Sequence, residues 1–147
     1  MNLFLDTSAL VKFFHEEKGS QKVIELLSAR ENEIWVLELV KIEFTSALYR
    51  RYRNKEVQEN ELDEAIYHFE EELNSFHVEP LGQTILKEAE NLIKCFGKTH
   101  GLRTLDALHL GAFHLISEND WYFVASDESL CQLVQNMNFH CINPLDE

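Results

Sequence analysis

Residues 3–10 read LFLDTSAL, and this stretch decides the expected fold. The apolar run from Asn2 to Leu5 predicts a short buried strand. Asp6 ends the run, and Thr7 or Ser8 can cap a helix that follows directly. The chain is therefore expected to open with a strand that passes into a helix, with a carboxylate at the junction.

The same change from strand to helix recurs along the rest of the chain. Short apolar runs predict further strands, and apolar residues at helical spacing predict helices between them. The expected strands are 33–37, 77–81, 121–125 and 139–142; the expected helices end near 17 and 29 and then cover about 39–53, 60–76, 84–96, 104–116 and 128–135. This alternation indicates an α/β fold with a central, mainly parallel sheet flanked by helices and with right-handed crossovers.

Composition limits the class of protein. The 147 residues suit one compact domain, expected to span 1–147, and 45% of them are hydrophobic, which is enough for a core. The 13 basic and 26 acidic residues give a net charge of −13. Proteins that coat nucleic acid are usually basic, so this charge argues against such a role. It does not exclude a nucleic-acid enzyme with a local basic patch.

Cysteine usage and the N-terminal sequence indicate the compartment. Cys95, Cys131 and Cys141 are widely spaced and include no C-x-x-C pair, so no zinc or redox motif is expected and all three are predicted to be reduced. Asp6 interrupts the apolar N-terminus early and no basic region precedes it, which argues against a signal peptide. No stretch is long and apolar enough to span a membrane. We expect a cytoplasmic protein without membrane association.

Four acidic residues lie in apolar or small-residue surroundings, where an unpaired charge is costly. They are Asp6 in LFLDTSAL, Glu43 in KIEFTSAL, Asp106 in RTLDALHL and Asp127 in FVASDESL. Asp6 and Asp127 follow predicted strands and should emerge at the edge of the sheet where open α/β sheets bind ligands. Glu43 and Asp106 lie near the starts of predicted helices and can lean toward that edge.

Carboxylates that converge at one edge repel one another unless a cation lies between them. Hard oxygen ligands favour Mg²⁺ or Mn²⁺ over zinc, and Mg²⁺ held by a few carboxylates commonly takes phosphate oxygens as further ligands. Glycine-rich phosphate loops are absent from the sequence, as is any local motif of a Ser-His-Asp or Cys-His arrangement. The acids therefore indicate a metal-dependent enzyme that hydrolyses phosphodiesters.

Each acid taken alone also has a simpler interpretation. An Asp after a strand is often only a helix cap or turn residue, which applies to Asp6 and Asp127. Glu43 alone suits a helix surface, and Asp106 alone suits a first turn that an acid stabilises through the helix dipole. The four together, in this order and context, favour one shared site.

Four segments of the chain resemble the motifs of the PIN-domain family. They are LFLDTSALVKFF (3–14), VKIEFTSALYRR (40–51), LRTLDALHLGAF (102–113) and FVASDESL (123–130). The third is very close to the corresponding motif of the VapC-type ribonuclease toxins, and the resemblance spans nearly the whole chain. It implies helices around a parallel sheet and a Mg²⁺- or Mn²⁺-dependent endonuclease that cleaves single-stranded or loop RNA by two-metal-type hydrolysis.

The resemblance also assigns residues and partners. The metal-binding and catalytic acids it implies are Asp6, Glu43, Asp106 and Asp127, with Ser8 and Ser126 as supporting hydroxyls. It implies a toxin that forms a homodimer and is paired with a cognate antitoxin, whose tail enters the active site. Two other functions stay open: a non-catalytic PIN module that serves as a scaffold, and a related nuclease that acts on DNA or structured RNA.

Three residues near the motifs have more than one interpretation. Glu38 stands where relatives more often carry Ser or Thr; it caps a helix poorly and adds negative charge near the expected site. His109 follows Asp106 by three residues, and a hydrogen-bonded core role is preferred to that of metal ligand or general base. Arg103 can contact phosphate, steady an acid, or be a solvated loop residue.

The 39–53 helix carries two further candidate surfaces. Cations cluster at its end, at Arg50, Arg51, Arg53 and Lys55. This cluster can bind RNA backbone, but a solvated helix end that complements the dipole is preferred. Candidates for a dimer or antitoxin surface are Leu39, Val40, Leu48 and Tyr49.

Overall fold

The computed structural model describes residues 1–146. These residues form five strands, β1 (Asn2–Leu5), β2 (Glu33–Leu37), β3 (His77–Glu79), β4 (Tyr122–Val124) and β5 (His140–Ile142). They form seven helices, α1 (Thr7–Phe14), α2 (Ser20–Ser28), α3 (Val40–Arg53), α4 (Glu59–Leu73), α5 (Gln83–His100), α6 (Thr104–Ile116) and α7 (Glu128–Asn136). Every expected element is present in the expected order. None of these helices is long and apolar enough to cross a membrane.

Three helix ends differ from the expectation by three or more residues, and one of them is that of α4, which ends at Leu73 instead of near residue 76. α1 ends at Phe14 instead of near residue 17, because His15 takes an extended conformation with φ −142° and ψ 120°. α5 continues through Gly97 to His100, because the left-handed residue that ends it is Gly101, at φ 59°. A glycine inside a helix costs only about 1 kcal/mol relative to alanine, so Gly97 does not stop α5.

The five strands form one parallel sheet in the order β3-β2-β1-β4-β5. The chain builds outward from β1 to β3 on one side and then adds β4 and β5 on the other side of β1. The order therefore reverses between β1 and β4, whose register pairs Leu3 with Tyr122 and Leu5 with Val124. Open parallel sheets bind ligands beyond the carboxyl ends of their strands at such a reversal. The topology thus places a binding crevice beyond Leu5 and Val124.

Alternating side chains of β1 divide the core into two layers. Leu3 and Leu5 pack with buried residues of α1, α2, α3 and α4 on one side of the sheet. Phe4 packs on the other side with buried residues of α5, α6 and α7. Its ring centroid lies 5.9 Å from that of Phe113 and 6.0 Å from that of Phe123. Both faces of β1 are covered, which explains why its apolar run is continuous. The packing on both faces also fixes the position of Asp6, the residue that follows β1.

The core also includes two residues that the sequence suggested for a dimer or antitoxin surface. Val40 and Leu48 are buried against α1 and α4, so that suggestion is wrong for both. Leu39 is half-buried, and Tyr49 is 45% exposed. Of these four residues, Tyr49 is the one that α3 presents to solvent.

The described residues contain one disulfide bond, between Cys131 in α7 and Cys141 in β5. The expectation that all three cysteines are reduced is therefore wrong for this pair, whereas Cys95 is free and exposed. α7 packs along β5 and brings the two Cα atoms to 5.5 Å, within the range that a disulfide spans. Sequence spacing does not show this proximity, because it arises from the packing of α7 on the sheet edge.

Glu38 joins the end of β2 to the segment that follows β3. Its backbone N–H donates to the Glu79 carbonyl at 2.9 Å, and its carboxylate accepts from the Leu81 N–H at 2.5 Å. α3 begins at Val40, and its N-cap residue is Leu39, which makes no side-chain cap, so Glu38 does not take the capping role of a hydroxyl residue. The sequence suggested that the Glu38 carboxylate adds negative charge near the site. In the structure this carboxylate accepts a hydrogen bond from Leu81, in the connection between β3 and α5.

We predict that Glu38→Ala lowers the free energy of unfolding by about 1–3 kcal/mol, because the partly buried Leu81 N–H loses its acceptor. Glu38→Gln keeps a side-chain oxygen at the same reach and should cost less. Urea denaturation of both variants and the native protein measures the difference. Equal stability of Glu38→Ala and the native protein would contradict a structural role for this contact.

Candidate active site

Asp6 follows β1 at the reversal of strand order, and its side chain is 4% exposed. It is the N-cap of α1: its Oδ1 accepts from the Ala9 N–H at 3.1 Å and from the Ser8 hydroxyl at 2.7 Å. Its backbone N–H donates to the Val124 carbonyl at 3.1 Å, which attaches the junction to β4. The predicted cap at Thr7 or Ser8 is therefore wrong, because α1 already begins at Thr7 and the preceding carboxylate caps it.

Burial raises the pKa of Asp6 from 3.8 to about 6. The nearby His109 ring offsets part of this rise in pKa, as do the hydrogen bonds from Ser8 and Ala9. The Asp106 carboxylate raises the pKa further, which shows that the two acids interact. The described residues thus leave the Asp6 charge incompletely compensated, and a cation beside it would lower the pKa.

Glu43 lies in the first turn of α3, and contacts from two other helices hold its carboxylate. Its Oε1 accepts from the Thr7 hydroxyl of α1 at 2.8 Å and lies 2.5 Å from Nε2 of His109 in α6. His109 is 2% exposed, and its Nδ1 has no hydrogen-bond partner among residues 1–146. His109 is a buried, hydrogen-bonded residue as preferred from the sequence, but its partner is a candidate site carboxylate.

The contact among Thr7, Glu43 and His109 was not predicted from the sequence. The spacing of Asp106 and His109 on one helix face was the available signal for His109. Nothing in the sequence pointed to Thr7, because its hydroxyl meets Glu43 only through the packing of α1 against α3.

Arg103 lies between the remaining two acids. Its Nε is 3.3 Å from Oδ2 of Asp106, and its Nη2 is 3.9 Å from Oδ2 of Asp127. Asp106 is in the first turn of α6, whereas Asp127 caps α7 by accepting from the Leu130 N–H at 2.9 Å. Of the interpretations of Arg103, the structure therefore supports contact with the acids. Its side chain is 76% exposed, so water screens both pairs and each contributes less than about 1 kcal/mol.

Ser8 and Ser126 join the two strand ends across the reversal. The Ser8 hydroxyl, which donates to Asp6, also accepts from the Ser126 N–H at 3.2 Å. The Ser126 hydroxyl is buried and has no partner in the described part of the chain. The two serines thus tie the segment after β1 to the segment after β4, and they leave one buried hydroxyl unpaired next to Asp127 in the sequence.

Two cavities border the carboxylates of Glu43, Asp106 and Asp127, whereas Asp6 lines neither of them. Glu43, Arg103 and Asp106 help line one of about 410 Å³. Arg103, Asp106 and Asp127 help line a second of about 80 Å³. The acids after β1 and β4 and those on α3 and α6 are therefore brought to the same end of the sheet, as the sequence predicted.

The donor chemistry of this end of the sheet suits a hard divalent cation. Carboxylate and hydroxyl oxygens predominate, which favours Mg²⁺ or Mn²⁺. Across residues 1–146, no three His, Cys, Asp or Glu side chains are arranged to enclose a metal ion. The guanidinium of Arg103 supplies positive charge between Asp106 and Asp127 instead. The donor atoms are thus of the type that such a cation prefers, but the side chains of residues 1–146 are not gathered around one point.

The chain belongs to the PIN-domain family. The family model, described as PIN domain, matches residues 3–132, a range that includes all four acids. No curated protein matches the chain.

Solved structures share this fold at low sequence identity. The chain is similar to VapC20 of Mycobacterium tuberculosis, a Sarcin-Ricin loop cleaving toxin, at 14% identity over 89% of this chain and 94% of that chain, with a TM-score of 0.69. It is similar to a chain of a toxin-antitoxin complex from Klebsiella pneumoniae (13% identity, 99% of each chain, TM-score 0.65). A third is VapBC2 from Rickettsia felis, bound to a promoter DNA fragment (18% identity, 97% of this chain and 98% of that chain, TM-score 0.63). Identities this low show a shared fold.

We predict that Asp6→Asn stabilises the metal-free protein at neutral pH. Because the folded-state pKa is raised to about 6, the folded state binds this proton more tightly than the unfolded state does. The associated stability is fully present below about pH 4 and is lost as the pH rises through about 6, a change of at most about 3 kcal/mol. Asn caps helices as well as Asp and carries no charge to bury.

Urea denaturation in the presence of a chelator measures this effect. At about pH 7 the variant should have a higher free energy of unfolding than the native protein, by about 2 kcal/mol, and near pH 4 the difference should vanish. A variant that is less stable than the native protein at neutral pH would show that the hydrogen bonds to Asp6 outweigh its burial.

Proposed function

We propose that the protein is a Mg²⁺- or Mn²⁺-dependent endoribonuclease that hydrolyses phosphodiester bonds in single-stranded or loop RNA. The observation that carries the proposal is the buried Asp6 carboxylate, which lies at the reversal of strand order with its pKa raised to about 6. A buried carboxylate whose charge is only partly compensated lowers the stability of the fold, and a divalent cation is the ligand that offsets this charge most directly. Membership of the PIN-domain family supports the same activity.

The residues that would hold the cation are Asp6, Glu43, Asp106 and Asp127. When bound there, it would supply an activated water and polarise the phosphoryl group. The chain's own contacts orient the carboxylates beforehand: Ser8 and Ala9 fix Asp6, and Thr7 and His109 fix Glu43. Hydrogen bonds of this kind set the direction of a ligand and commonly change metal affinity when they are removed.

Arg103 has two roles in this proposal. In the absence of substrate its guanidinium compensates Asp106 and Asp127. If those carboxylates held a cation, the exposed guanidinium would be free to contact an RNA phosphate, whose oxygens it can bind in pairs. The buried hydroxyl of Ser126 is a supporting donor, since it has no other described partner.

The biological role that we propose is the toxin of a toxin–antitoxin pair. The similarity to chains from the Klebsiella toxin-antitoxin complex and from VapBC2 supports a cognate antitoxin as a partner. The similarity to VapC20, a Sarcin-Ricin loop cleaving toxin, supports the proposal of RNA as the substrate. We further propose that the protein is one domain, forms a homodimer and acts in the cytoplasm.

We predict that the native protein cleaves single-stranded RNA when Mg²⁺ or Mn²⁺ is present and that Asp106→Asn slows cleavage by about 100-fold or more, because one charged ligand is lost. Asp106 is 23% exposed and its carboxylate contacts Arg103, so the variant should keep the fold. The measurement is the cleavage rate of end-labelled RNA, with and without a chelator.

Asp120→Asn is the matched control, since Asp120 is exposed at the opposite end of β4 and makes no ion pair with another described residue. It should cleave at the native rate. Parallel digestion of single-stranded DNA and of RNA hairpins tests the substrate class. If the native protein with metal cleaves none of these substrates, or if Asp106→Asn cleaves equally well, a non-catalytic scaffold becomes the better account; cleavage of DNA or hairpins alone would favour the related nuclease.

A further inference from the structure

α3 and the turn after it carry an excess of positive charge. Residues 40–55 contain five of the chain's 13 basic residues but only one of its 26 acidic residues, Glu43. The rest of the chain is therefore even more acidic than the net charge of −13 suggests. Charge is segregated along the molecule, and a local cationic surface can attract a polyanion even on an acidic protein.

Five exposed side chains on one side of α3 form a continuous surface, which we call the α3 stripe; the exposed Lys41 and Tyr52 lie on another side of the helix. The stripe consists of Ile42, Ser46, Tyr49, Arg50 and Arg53. Four of these recur at helical spacing on the side of α3 opposite the buried Phe44 and Leu48. Ile42 is 71% exposed and Tyr49 is 45% exposed. The stripe thus presents one aliphatic and one aromatic side chain to solvent next to two guanidinium groups.

Arg50 connects the stripe to the candidate active site. It follows Glu43 by seven residues, so both side chains leave the same side of α3, about 10 Å apart along the helix axis. Arg53 lies almost one turn further, about 15 Å from Glu43 along the axis. The stripe therefore begins beside the carboxylates and leads away from them.

The neighbouring Arg51 differs from these two arginines. Its Nη2 lies 2.9 Å from Oε2 of Glu17, which also pairs with Lys12, so Arg51 holds the α1–α2 connection against α3. Arg50 and Arg53 make no ion pair with any residue from 1 to 146. Both guanidinium groups are exposed to solvent and are not paired with a carboxylate of residues 1–146.

We propose that the α3 stripe binds the RNA strand that enters or leaves the candidate active site. Arg50 and Arg53 contact phosphates, and a base stacks on Tyr49. Proteins that hold single strands combine a track of cations with aromatic side chains on which bases stack. The inference rests on the proposed nuclease function and deepens it by assigning the surface that holds RNA outside the carboxylates. For Arg50 and Arg53 it replaces the interpretation as a solvated helix end.

A second copy of the chain is the main competing occupant of the stripe. A two-fold contact presents the same patch from both subunits, so through this stripe it would place four unpaired arginines, Arg50 and Arg53 of each copy, in one interface. Like charges that face each other across an interface are unfavourable. RNA offers the opposite charge at regular intervals, so charge complementarity favours RNA.

The test is fluorescence anisotropy with a labelled single-stranded RNA of about 12 nucleotides, titrated in a chelator so that binding is measured without cleavage. Across about 50 to 200 mM salt, Arg50→Ala/Arg53→Ala should weaken binding about tenfold and reduce the slope of log affinity against log salt by about 1.4, or about 0.7 per lost phosphate contact. Tyr49→Ala should weaken binding about tenfold with little change in the salt slope, because stacking releases no counterions.

Lys87→Ala/Lys94→Ala is the matched control. It removes two exposed charges from α5, which packs on the opposite face of the sheet, and should leave both affinity and salt slope near the native values. Circular dichroism checks that every variant is folded. Undiminished RNA binding by the Arg50→Ala/Arg53→Ala variant, equal loss in the control, or no binding by the native protein overturns the proposal.

Sedimentation of the same variants tests the competing occupant. If Tyr49→Ala or the double arginine variant dissociates a native dimer, the stripe is a self-association surface and the RNA assignment is wrong. Cleavage assays on the native protein test the proposed nuclease activity separately from RNA binding by the α3 stripe. A native protein that binds RNA through the stripe but cleaves none contradicts the nuclease; one that cleaves RNA with unchanged affinity in the stripe variants contradicts the stripe alone.

Discussion

The carboxylate of Asp6 is buried where β1 ends, and the arrangement around it follows from the cost of that burial. Burial excludes water from this group and raises its pKa to about 6, even though neighbouring dipoles and charges compensate part of the cost. The Ala9 N–H, the Ser8 hydroxyl and the nearby His109 supply part of this compensation. The same hydrogen bonds start α1, so the feature that strains the site electrostatically also fixes the geometry of the strand-to-helix junction.

The remaining acids are held in a comparable way, each by a different partner. Glu43 is bound by a hydroxyl and an imidazole, Asp127 by the backbone at the start of α7, and Asp106 by an exposed guanidinium. These partners orient the carboxylates but neutralise them only in part. Positive charge is concentrated on the exposed side of α3, where Arg50 and Arg53 make no ion pair with another described residue. An acidic protein can thus combine a site that attracts cations with an adjacent surface that attracts an anionic strand.

The sequence was sufficient to predict the order of the elements and the location of the acids. Apolar runs marked the five strands, and the rule that ligands bind beyond parallel strand ends placed Asp6 and Asp127 at one edge. Three features depended on packing between distant segments and could not be read locally. Thr7 and His109 meet Glu43 only when α1, α3 and α6 assemble, Cys131 meets Cys141 only because α7 packs along β5, and Glu38 reaches Leu81 only across two strand ends. The cap of α1 was misassigned because the first helical residue was placed one position too late.

Calorimetric titration with Mn²⁺ tests most directly whether the carboxylates at the end of β1 form a cation site. The native protein should bind Mn²⁺ in a saturable manner, and Asp6→Asn should lose most of that binding while remaining folded. Asp120→Asn should bind as the native protein does, since Asp120 lies at the other end of β4, away from the reversal of strand order. Absence of saturable binding by the native protein, or equal binding by Asp6→Asn, would contradict the account.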